Sequence, residues 1–274
     1  MVAFAADRMT RWQTVCTWAA CLLLAVLVAG CGGKNPRQLV VGMELASPPF
    51  DMTDEHNQPA GIDVELARAL ADSLGKELVV RNTAFDGLIP ALQTGKIDLI
   101  LSSMTITPQR AESIDFSDPY LHVGICLLVG ARSGVERPDD LNRPERKVVV
   151  KTGTTGFFYA QEHLPNARLL PISEPGACVL EVVQGKADAF IYDQFSVFQY
   201  QRQNAQTTRA VLEPLRREDW GIGIKKGNAE LRRQVNAFLA DFRARKGLDA
   251  IAGKYLEADG EAFQRMGNPF SFEK

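Results

Sequence analysis

The pattern that most constrains the fold is a segment that occurs twice in the chain. Residues 93–103 read QTGKIDLILSS, and residues 184–193 read QGKADAFIYD. In each copy a Gly-Lys pair is typical of a helix end, an aspartate follows, and an apolar run predicts a buried strand that ends in polar residues. Two copies of a strand–helix–strand unit predict two similar α/β lobes in one chain.

The strand ends of these lobes predict where a ligand binds. A weaker similarity links residues 39–42 with residues 148–151, each an apolar strand at the start of its segment. In open α/β sheets, ligands bind outside the carboxyl ends of the strands. Four polar residues stand at such ends: Ser103, Thr105, Lys151 and Asp193. The sequence therefore predicts a ligand cleft between the lobes.

The order of the elements predicts that the chain enters the second lobe once and leaves it once. An apolar strand over residues 120–130 leads into the second lobe, and a strand over residues 220–224 returns from it. Two adjacent strands would then form the hinge. The expected boundaries are residues 39–121 with 220–274 for the first lobe and residues 122–219 for the second.

Arg110 is the first candidate for a ligand contact. Thr107 followed by Pro108 predicts a helix N-cap with proline at the first helical position. Arg110 then falls in the first turn, where the helix dipole disfavours a cation unless an anion offsets it. A guanidinium can hold a carboxylate through two parallel hydrogen bonds. The residues alone favour two roles equally: a carboxylate clamp or a solvated surface arginine.

Composition excludes several classes of function. The formal net charge of −2 provides no basic field for nucleic acid, so we expect no nucleic-acid partner. The chain has no Walker-type phosphate loop, no Gly-x-Ser-x-Gly elbow and no His-Glu-x-x-His helix. Its three histidines are scattered. We therefore expect no cofactor, no metal site and no catalytic activity.

The N-terminal segment predicts export. Arginines at positions 8 and 11 precede an apolar core over residues 15–28, which is short for a membrane span. The core ends in Val28-Ala29-Gly30-Cys31, which resembles a bacterial lipobox. We expect residues 1–30 to be a lipoprotein signal peptide, Cys31 to be acylated, and residues 31–38 to tether the protein to the periplasmic side of the membrane. The alternative is an ordinary secretory signal with an incidental cysteine.

Nearly all of the predicted mature chain carries motifs in one fixed order. They are Pro49-Phe50, GIDVELA (61–67), LIPAL (88–92), GKID (95–98), SMTIT (103–107), Arg110, IDFSDPY (114–120), GTT (153–155) and GKAD (185–188). With these motifs the sequence resembles the bacterial extracellular solute-binding proteins of family 3, the periplasmic receptors of polar amino-acid ABC importers. The resemblance implies a two-lobed α/β "venus-flytrap" with two hinge strands. We expect a monomer that closes around one amino acid and delivers it to a membrane permease.

The resemblance also implies roles for individual residues. It assigns the ligand carboxylate to Arg110, cleft hydroxyl and backbone groups to Ser103, Thr105 and Thr155, and the ligand ammonium to Asp193. An amino acid needs a fixed cation and a fixed anion that are desolvated together, which agrees with these assignments. For Asp193 the alternative is a helix N-cap. For Thr155 it is a loop hydroxyl beside backbone N–H groups that bind the ligand instead.

The pocket for the ligand side chain is expected to include Glu44, Ser47, Phe85, Lys151 and Tyr192. Members of the family often have an aromatic residue at the position of Ser47, so this departure leaves open whether a stacking wall exists there. Phe85 is either the opposite wall or a core residue. Glu44 and Lys151 should face each other across the closed cleft. Together they suit a neutral side chain with a donor and an acceptor, which places glutamine first and a charged polar amino acid close behind. Alternatively, they form a salt bridge that latches the closed lobes.

Two other classes of function remain open at the level of sequence. An exported dehydratase on the same scaffold would need a general acid beside the cleft, for which Glu44 is a candidate, while the residues just after Asp193 offer no second acid. A ligand-sensing receptor would need a separate signalling partner. Transport is the function that we expect.

Overall fold

The computed structural model describes residues 35–265, with side chains through residue 256, so the predicted signal peptide and Cys31 lie outside the described residues. The first part of the chain contains β1 (Gln38–Met43), β2 (Met52–Thr53), β3 (Pro59–Ala60), α1 (Ile62–Ser73), β4 (Glu77–Asn82), α2 (Leu88–Gln93), β5 (Leu99–Ile100), α3 (Pro108–Ser113) and β6 (Ile114–Phe116). The middle part contains β7 (Leu121–Gly130), β8 (Lys147–Lys151), α4 (Thr155–His163), β9 (Arg168–Ile172), α5 (Pro175–Val183), β10 (Ala189–Asp193), α6 (Gln194–Gln203) and β11 (Thr208–Trp220). The last part contains β12 (Gly223–Lys225), α7 (Ala229–Ala244) and α8 (Gly247–Arg265).

Two five-stranded mixed sheets form the centres of two lobes, which confirms the predicted two-lobed α/β fold. The first sheet has the strand order β4-β1-β5-β12-β6, and the second has the order β11-β7-β10-β8-β9. In the first sheet β1 and β5 are parallel, and β12 runs antiparallel to β5 and β6. In the second sheet β8 is parallel to β9 and β10, whereas β7 is antiparallel to β10 and β11. Lobe 1 and lobe 2 denote the parts of the chain around these two sheets.

The chain passes between the sheets along two adjacent segments. One lies between β6 and β7, and the other joins β11 to β12. They are hydrogen-bonded side by side, because the Tyr120 amide donates to the Trp220 carbonyl at 2.9 Å and the Ser117 amide donates to the Ile222 carbonyl at 3.0 Å. This arrangement agrees with a two-segment hinge. The lobe boundaries drawn from the sequence stay a prediction.

The repeated sequence pattern makes the same contacts in both lobes. Gly95 and Gly185 have left-handed backbones, with φ of 74° and 70°, just after α2 and α5. Asp98 then accepts a hydrogen bond from the Val40 amide at 2.9 Å, and Asp188 accepts one from the Lys147 amide at 2.8 Å. Each aspartate thus anchors the start of its own strand to a neighbouring parallel strand, β1 in lobe 1 and β8 in lobe 2.

The burial of the central strands of lobe 2 explains why their sequences are apolar. Residues 148–150 of β8 and 189–191 of β10 are fully buried. These parallel neighbours are covered by helices on both faces, so a continuous apolar run replaces the alternating pattern of a half-exposed strand. In lobe 1, α1 buries Ile62, Leu66 and Leu70 against its sheet.

The predicted single return strand over residues 220–224 is wrong. The structure has two strands there, because β11 ends at Trp220 and β12 begins at Gly223. The chain changes sheets at this point, so its pairing partner changes from β7 to the strands of lobe 1. Gly221 makes the close passage possible, since a Cβ on it would lie 2.7 Å from the side chain of Ile106.

Strand β11 is also much longer than the sequence indicated, and it carries an irregularity. Val211 pairs with Leu127 and Arg216 pairs with Ile125, so β11 advances by five residues while β7 advances by two. The three extra residues of β11 form a bulge. Gly124 of β7 faces this bulge closely, since a Cβ there would lie 2.8 Å from the Cβ of Pro214. Beyond the bulge, the strand continues to the cleft between the lobes.

Candidate functional site

A cavity of about 40 Å³ lies between the lobes. That volume holds a few water molecules and is too small for an amino acid. Eight of the ten ligand-contact residues expected from the sequence line it: Ser47, Phe85, Ser103, Thr105, Arg110, Thr155, Tyr192 and Asp193. The lining also includes residues that the sequence analysis did not assign to the ligand: Ser102, Ile125, Thr154, Gly156, Glu218 and Trp220.

Arg110 lies on the lobe 1 wall, and its helix begins as predicted. Thr107 caps α3 by accepting a hydrogen bond from the Arg110 amide at 3.2 Å, with proline at the first helical position. The guanidinium donates from Nη1 to the carbonyl of Thr105 at 2.7 Å and from Nη2 to the carbonyl of Gly153 in lobe 2 at 3.1 Å. Burial lowers the pKa of Arg110 to about 10, although Glu218 opposes that shift. The side chain therefore remains a cation at neutral pH, inside the cleft and not on the solvated surface.

The floor of the cleft in lobe 1 is a turn that rests on two buried carboxyl groups. Ser103 has a left-handed backbone with φ of 50°, and its amide donates to Asp63 Oδ2 at 2.8 Å. The Tyr120 hydroxyl donates to both oxygens of Asp63, at 3.0 and 3.1 Å. Ser102 donates to Asp51 and accepts from the Glu44 amide. This network holds the strained turn that presents both serines to the cavity.

Burial acts strongly on the two carboxyl groups beneath that turn. It raises the pKa of Asp63 to about 7, although hydrogen bonds from Ser103 and Tyr120 oppose the shift. The pKa of Asp51 is also raised well above its usual range, first by burial and then by repulsion from Asp63. One proton held in this network at neutral pH would relieve the repulsion between the two groups.

Thr105 and Thr155 lie on opposite lobes and both donate to one side chain. Their hydroxyls reach Oε2 of Glu218 at 2.7 and 2.8 Å. Oε1 of the same carboxylate accepts from Nε and Nη2 of Arg216, at 3.1 and 2.7 Å. Glu218 therefore places a fully hydrogen-bonded carboxylate at the centre of the predicted site, between the two lobes.

Asp193 ends β10 and begins α6. Its Oδ1 accepts hydrogen bonds from the amides of Phe195 and Ser196, at 3.0 and 2.9 Å, so it is the helix N-cap. The residue also lines the cavity. Burial raises the pKa of Asp193, and the amide donors of the cap oppose that shift. The capping role that the sequence offered as an alternative is therefore present, and it is compatible with a ligand contact through the second oxygen.

Glu44 and Lys151 face each other across the lobes, as expected, but they are not part of the cavity lining. Lys151 Nζ lies 2.8 Å from Glu44 Oε1, with 1% and 7% of the side chains exposed. The same carboxylate oxygen accepts from the Phe85 amide at 3.2 Å, and the ammonium lies 4.7 Å from the centre of the Phe85 ring. The two charges satisfy each other behind Phe85, which is the geometry of the salt-bridge latch.

Ser47 and Tyr192 make a further contact between the lobes. Their hydroxyl oxygens are 3.2 Å apart. Burial raises the pKa of Tyr192 well above its usual range, so its phenol stays protonated. With the Glu44–Lys151 pair and the Arg110–Gly153 contact, this hydrogen bond holds the lobes together around the cavity.

Glu218 is the main residue that the sequence analysis missed. The expected lobe 2 spans residues 122–219 and the expected return strand begins at Trp220, so Glu218 belongs to no predicted strand or helix. The alternation of exposed Arg217 and Asp219 with buried Glu218 and Trp220 shows that these residues belong to a strand with one face toward the cavity.

The cavity lies between two α/β lobes that two adjacent chain segments connect. Charged and hydroxyl side chains of both lobes line it. These features define a two-lobed ligand-binding protein. The chain belongs to the bacterial extracellular solute-binding proteins, family 3, which it matches over residues 39–258. This confirms the family that the sequence motifs indicated.

The chain is similar to proteins that bind amino acids. It is 28% identical over 228 residues to the L-cystine-binding protein of Escherichia coli, a match that covers 82% of this chain and 85% of that protein. Among solved structures, an ancestral amino-acid-binding protein that is a precursor of cyclohexadienyl dehydratase is 38% identical, with a TM-score of 0.75 and coverage of 80% and 95%. An ancestral arginine-binding protein bound to glutamine is 32% identical, with a TM-score of 0.75 and coverage of 81% and 98%, and it is also known bound to arginine.

Proposed function

We propose that this protein captures a polar α-amino acid between its lobes and delivers it to the membrane permease of an ABC transporter. The observation that carries the proposal is that Arg110 and Asp193 line one cavity. Arg110 would hold the α-carboxylate and Asp193 the α-ammonium. The groups of Ser103, Thr105 and Thr155 would complete the two half-sites, so that both charges of the zwitterion are desolvated with partners.

The charge balance of the site supports a ligand with a neutral side chain. Apart from Asp51 and Asp63 beneath the floor, three cations and three anions lie in and beside the cavity: Arg110, Lys151, Arg216, Glu44, Asp193 and Glu218. A zwitterion with a neutral side chain leaves this balance unchanged. Phe85 would cover the aliphatic stem and Tyr192 would offer a hydroxyl to its polar end. We therefore place glutamine first, with arginine or lysine as the second candidate because a related protein binds both arginine and glutamine.

The test is calorimetry with L-glutamine, L-glutamate, L-arginine, L-lysine and L-histidine. Arg110→Ala should weaken binding of the preferred amino acid by about a hundredfold or more, because it leaves a desolvated carboxylate without its cation. Arg68→Ala, which removes an exposed arginine of α1, is the matched control. Analogues without an α-carboxylate should be nearly insensitive to Arg110→Ala. Wild-type affinity in Arg110→Ala would refute the assignment, and tight arginine binding without heat from glutamine would refute the charge-balance argument.

The contacts of Glu44 favour binding over catalysis. A dehydratase would need an acid that exchanges a proton with its substrate, but the Glu44 carboxylate is held by Lys151 and the Phe85 amide outside the cavity lining. The two acids that line the cavity are also engaged, because Asp193 caps α6 and Glu218 accepts hydrogen bonds from two threonines and an arginine. Turnover assays with prephenate-like substrates should therefore detect no product. Formation of product would make the exported-enzyme alternative the correct one.

We also propose that the protein is exported and anchored by lipid on the periplasmic side of the cell membrane. In this proposal residues 1–30 are removed, Cys31 becomes the acylated first residue, and residues 31–38 form the tether. The support comes from the lipobox-like sequence before Cys31 and from the extracellular location of the family. Among the described residues, no helix is long and apolar enough to cross a membrane. We expect the anchored protein to act as a monomer.

A further inference from the structure

Glu218 occupies a position that the proposed function leaves without a role. It lies on β11, 7% exposed, and lines the cavity together with Trp220. Its register partner across the sheet is Val123, and that of Arg216 is Ile125, which also lines the cavity. Because paired residues of antiparallel strands share a face, Arg216 and Glu218 both point toward the cleft.

The carboxylate of Glu218 uses the hydroxyl protons of both lobes. Oε2 accepts from Thr105 of lobe 1 and Thr155 of lobe 2. A carboxylate can only accept hydrogen bonds, and each hydroxyl has a single proton to donate. While Glu218 is bound, neither threonine can donate to another anion.

The ligand carboxylate requires the same protons. The proposed function assigns the α-carboxylate to Arg110, and this inference adds the Thr105 and Thr155 hydroxyls as its further donors. Arg110 and Glu218 are electrostatically coupled, because the Glu218 charge favours the protonated guanidinium. The cavity beside them is too small for an amino acid. A ligand carboxylate that accepts from these two hydroxyls therefore has to replace the Glu218 oxygen, because each hydroxyl has one proton to donate.

Arg216 gives Glu218 a place to remain during that exchange. It binds the other carboxylate oxygen through two N–H groups, and its own side chain is 40% exposed at the edge of the cleft. Loss of the threonine bonds would leave Glu218 in a charge-assisted pair near solvent, so its charge is never left buried and unpaired.

We propose that Glu218 is an internal carboxylate that competes with the α-carboxylate of the ligand for Thr105 and Thr155. Binding exchanges one carboxylate for the other at these hydroxyls, while Arg216 retains Glu218 at the cleft wall. The exchange lowers the affinity for amino acids below what the donor groups alone would reach. This inference rests on the proposed function, because it requires that the ligand carry a carboxylate.

The test is calorimetry of wild-type protein and Glu218→Gln with L-glutamine, L-arginine, L-lysine and L-histidine at constant pH and ionic strength. A neutral amide accepts weaker hydrogen bonds than a carboxylate, so Glu218→Gln should bind the preferred amino acid about tenfold more tightly. Glu213→Gln is the matched control, since it removes an exposed glutamate from the same strand and should leave the affinity unchanged. Glu218→Ala serves as a second variant, and thermal unfolding of each protein establishes that it is folded.

The outcomes separate this inference from the proposed function. Tighter binding in Glu218→Gln or Glu218→Ala, with wild-type affinity in Glu213→Gln, supports the exchange. Unchanged affinity would make Glu218 a spectator and overturn it. Weaker binding would show that Glu218 contacts the ligand, and a loss confined to arginine and lysine would identify it as the counter-charge of a cationic side chain. Either result overturns the exchange but leaves amino-acid binding intact. If no folded variant, nor the wild type, binds any of these four amino acids or L-glutamate, the proposed function fails and the exchange fails with it.

Discussion

The buried ion pair between Glu44 and Lys151 allows a sharp test of how the lobes close. Lys151→Met preserves the length and most of the volume of the side chain and removes its charge. Among the described residues, Glu44 then keeps only the Phe85 amide as a hydrogen-bond partner, in a position where 7% of its side chain is exposed. The closed arrangement of the lobes would contain a buried carboxylate without a counter-ion.

The size of the effect follows from the burial of the pair. Removing one partner of a buried ion pair costs about 3–5 kcal/mol. Because the pair joins two lobes, the variant can avoid that cost by opening, which returns Glu44 to water. The loss should therefore fall on closure and not on folding. If binding requires closure, Lys151→Met should weaken it by about two to four orders of magnitude.

A double variant separates the latch from a direct ligand contact. Glu44→Gln combined with Lys151→Met leaves no uncompensated charge, and the glutamine oxygen can still accept from the Phe85 amide. Its affinity should recover to within about tenfold of the wild type. Calorimetry gives the affinities, and small-angle scattering should show a larger radius of gyration for the single variant. Lys147→Met, an exposed lysine on the same strand, is the control.

Two results would refute this reasoning. Wild-type affinity in Lys151→Met would mean that the pair contributes nothing to closure. A double variant that binds as weakly as Lys151→Met would mean that Lys151 contacts the ligand directly, which is the role that the resemblance implied for it.

Three further predictions address other parts of the protein. Asp193→Ala should lose ligand binding together with about 0.5–2 kcal/mol of stability from the helix cap. Asp193→Asn should lose only ligand binding, because the amide oxygen of asparagine can still cap the helix. Equal melting temperatures for the two variants would contradict the dual role. The raised pKa of Asp63, about 7 against the usual 3.8, means that the folded protein holds a proton that the unfolded chain releases. That contribution to stability is fully present below about pH 4 and is lost as the pH rises through 7. The stability advantage of the wild type over Asp63→Asn, measured by denaturant unfolding, should therefore shrink across this range. An advantage that grows with pH would contradict the prediction. Cys31→Ser should release the protein from the membrane fraction, because stable attachment requires acyl chains; unchanged fractionation and mass would exclude acylation.

The sequence by itself determined the elements whose signals are local. Thr107 and Pro108 specified the start of a helix, because capping depends on a few adjacent residues. The two Gly-Lys-x-Asp segments specified helix ends and strand starts, and Asp98 and Asp188 make matching hydrogen bonds in the two lobes. The order of these elements was enough to predict two lobes and two crossings, and the resemblance of the motifs to the family was needed to reach eight of the residues around the cavity.

Only the tertiary structure decided which charges meet. Sequence reasoning placed Glu44 and Lys151 opposite each other but left open whether they contact the ligand or each other, because that depends on how far the lobes close. Glu218 is the clearest case. At the start of β11, Val211 pairs with Leu127 and lies on the same face of the sheet. Regular alternation would place the odd-numbered residues after Val211 on that face as well. The bulge between Val211 and Arg216 reverses that parity. It thereby turns Glu218 toward the threonine hydroxyls, and no local property of the sequence encodes that pairing register.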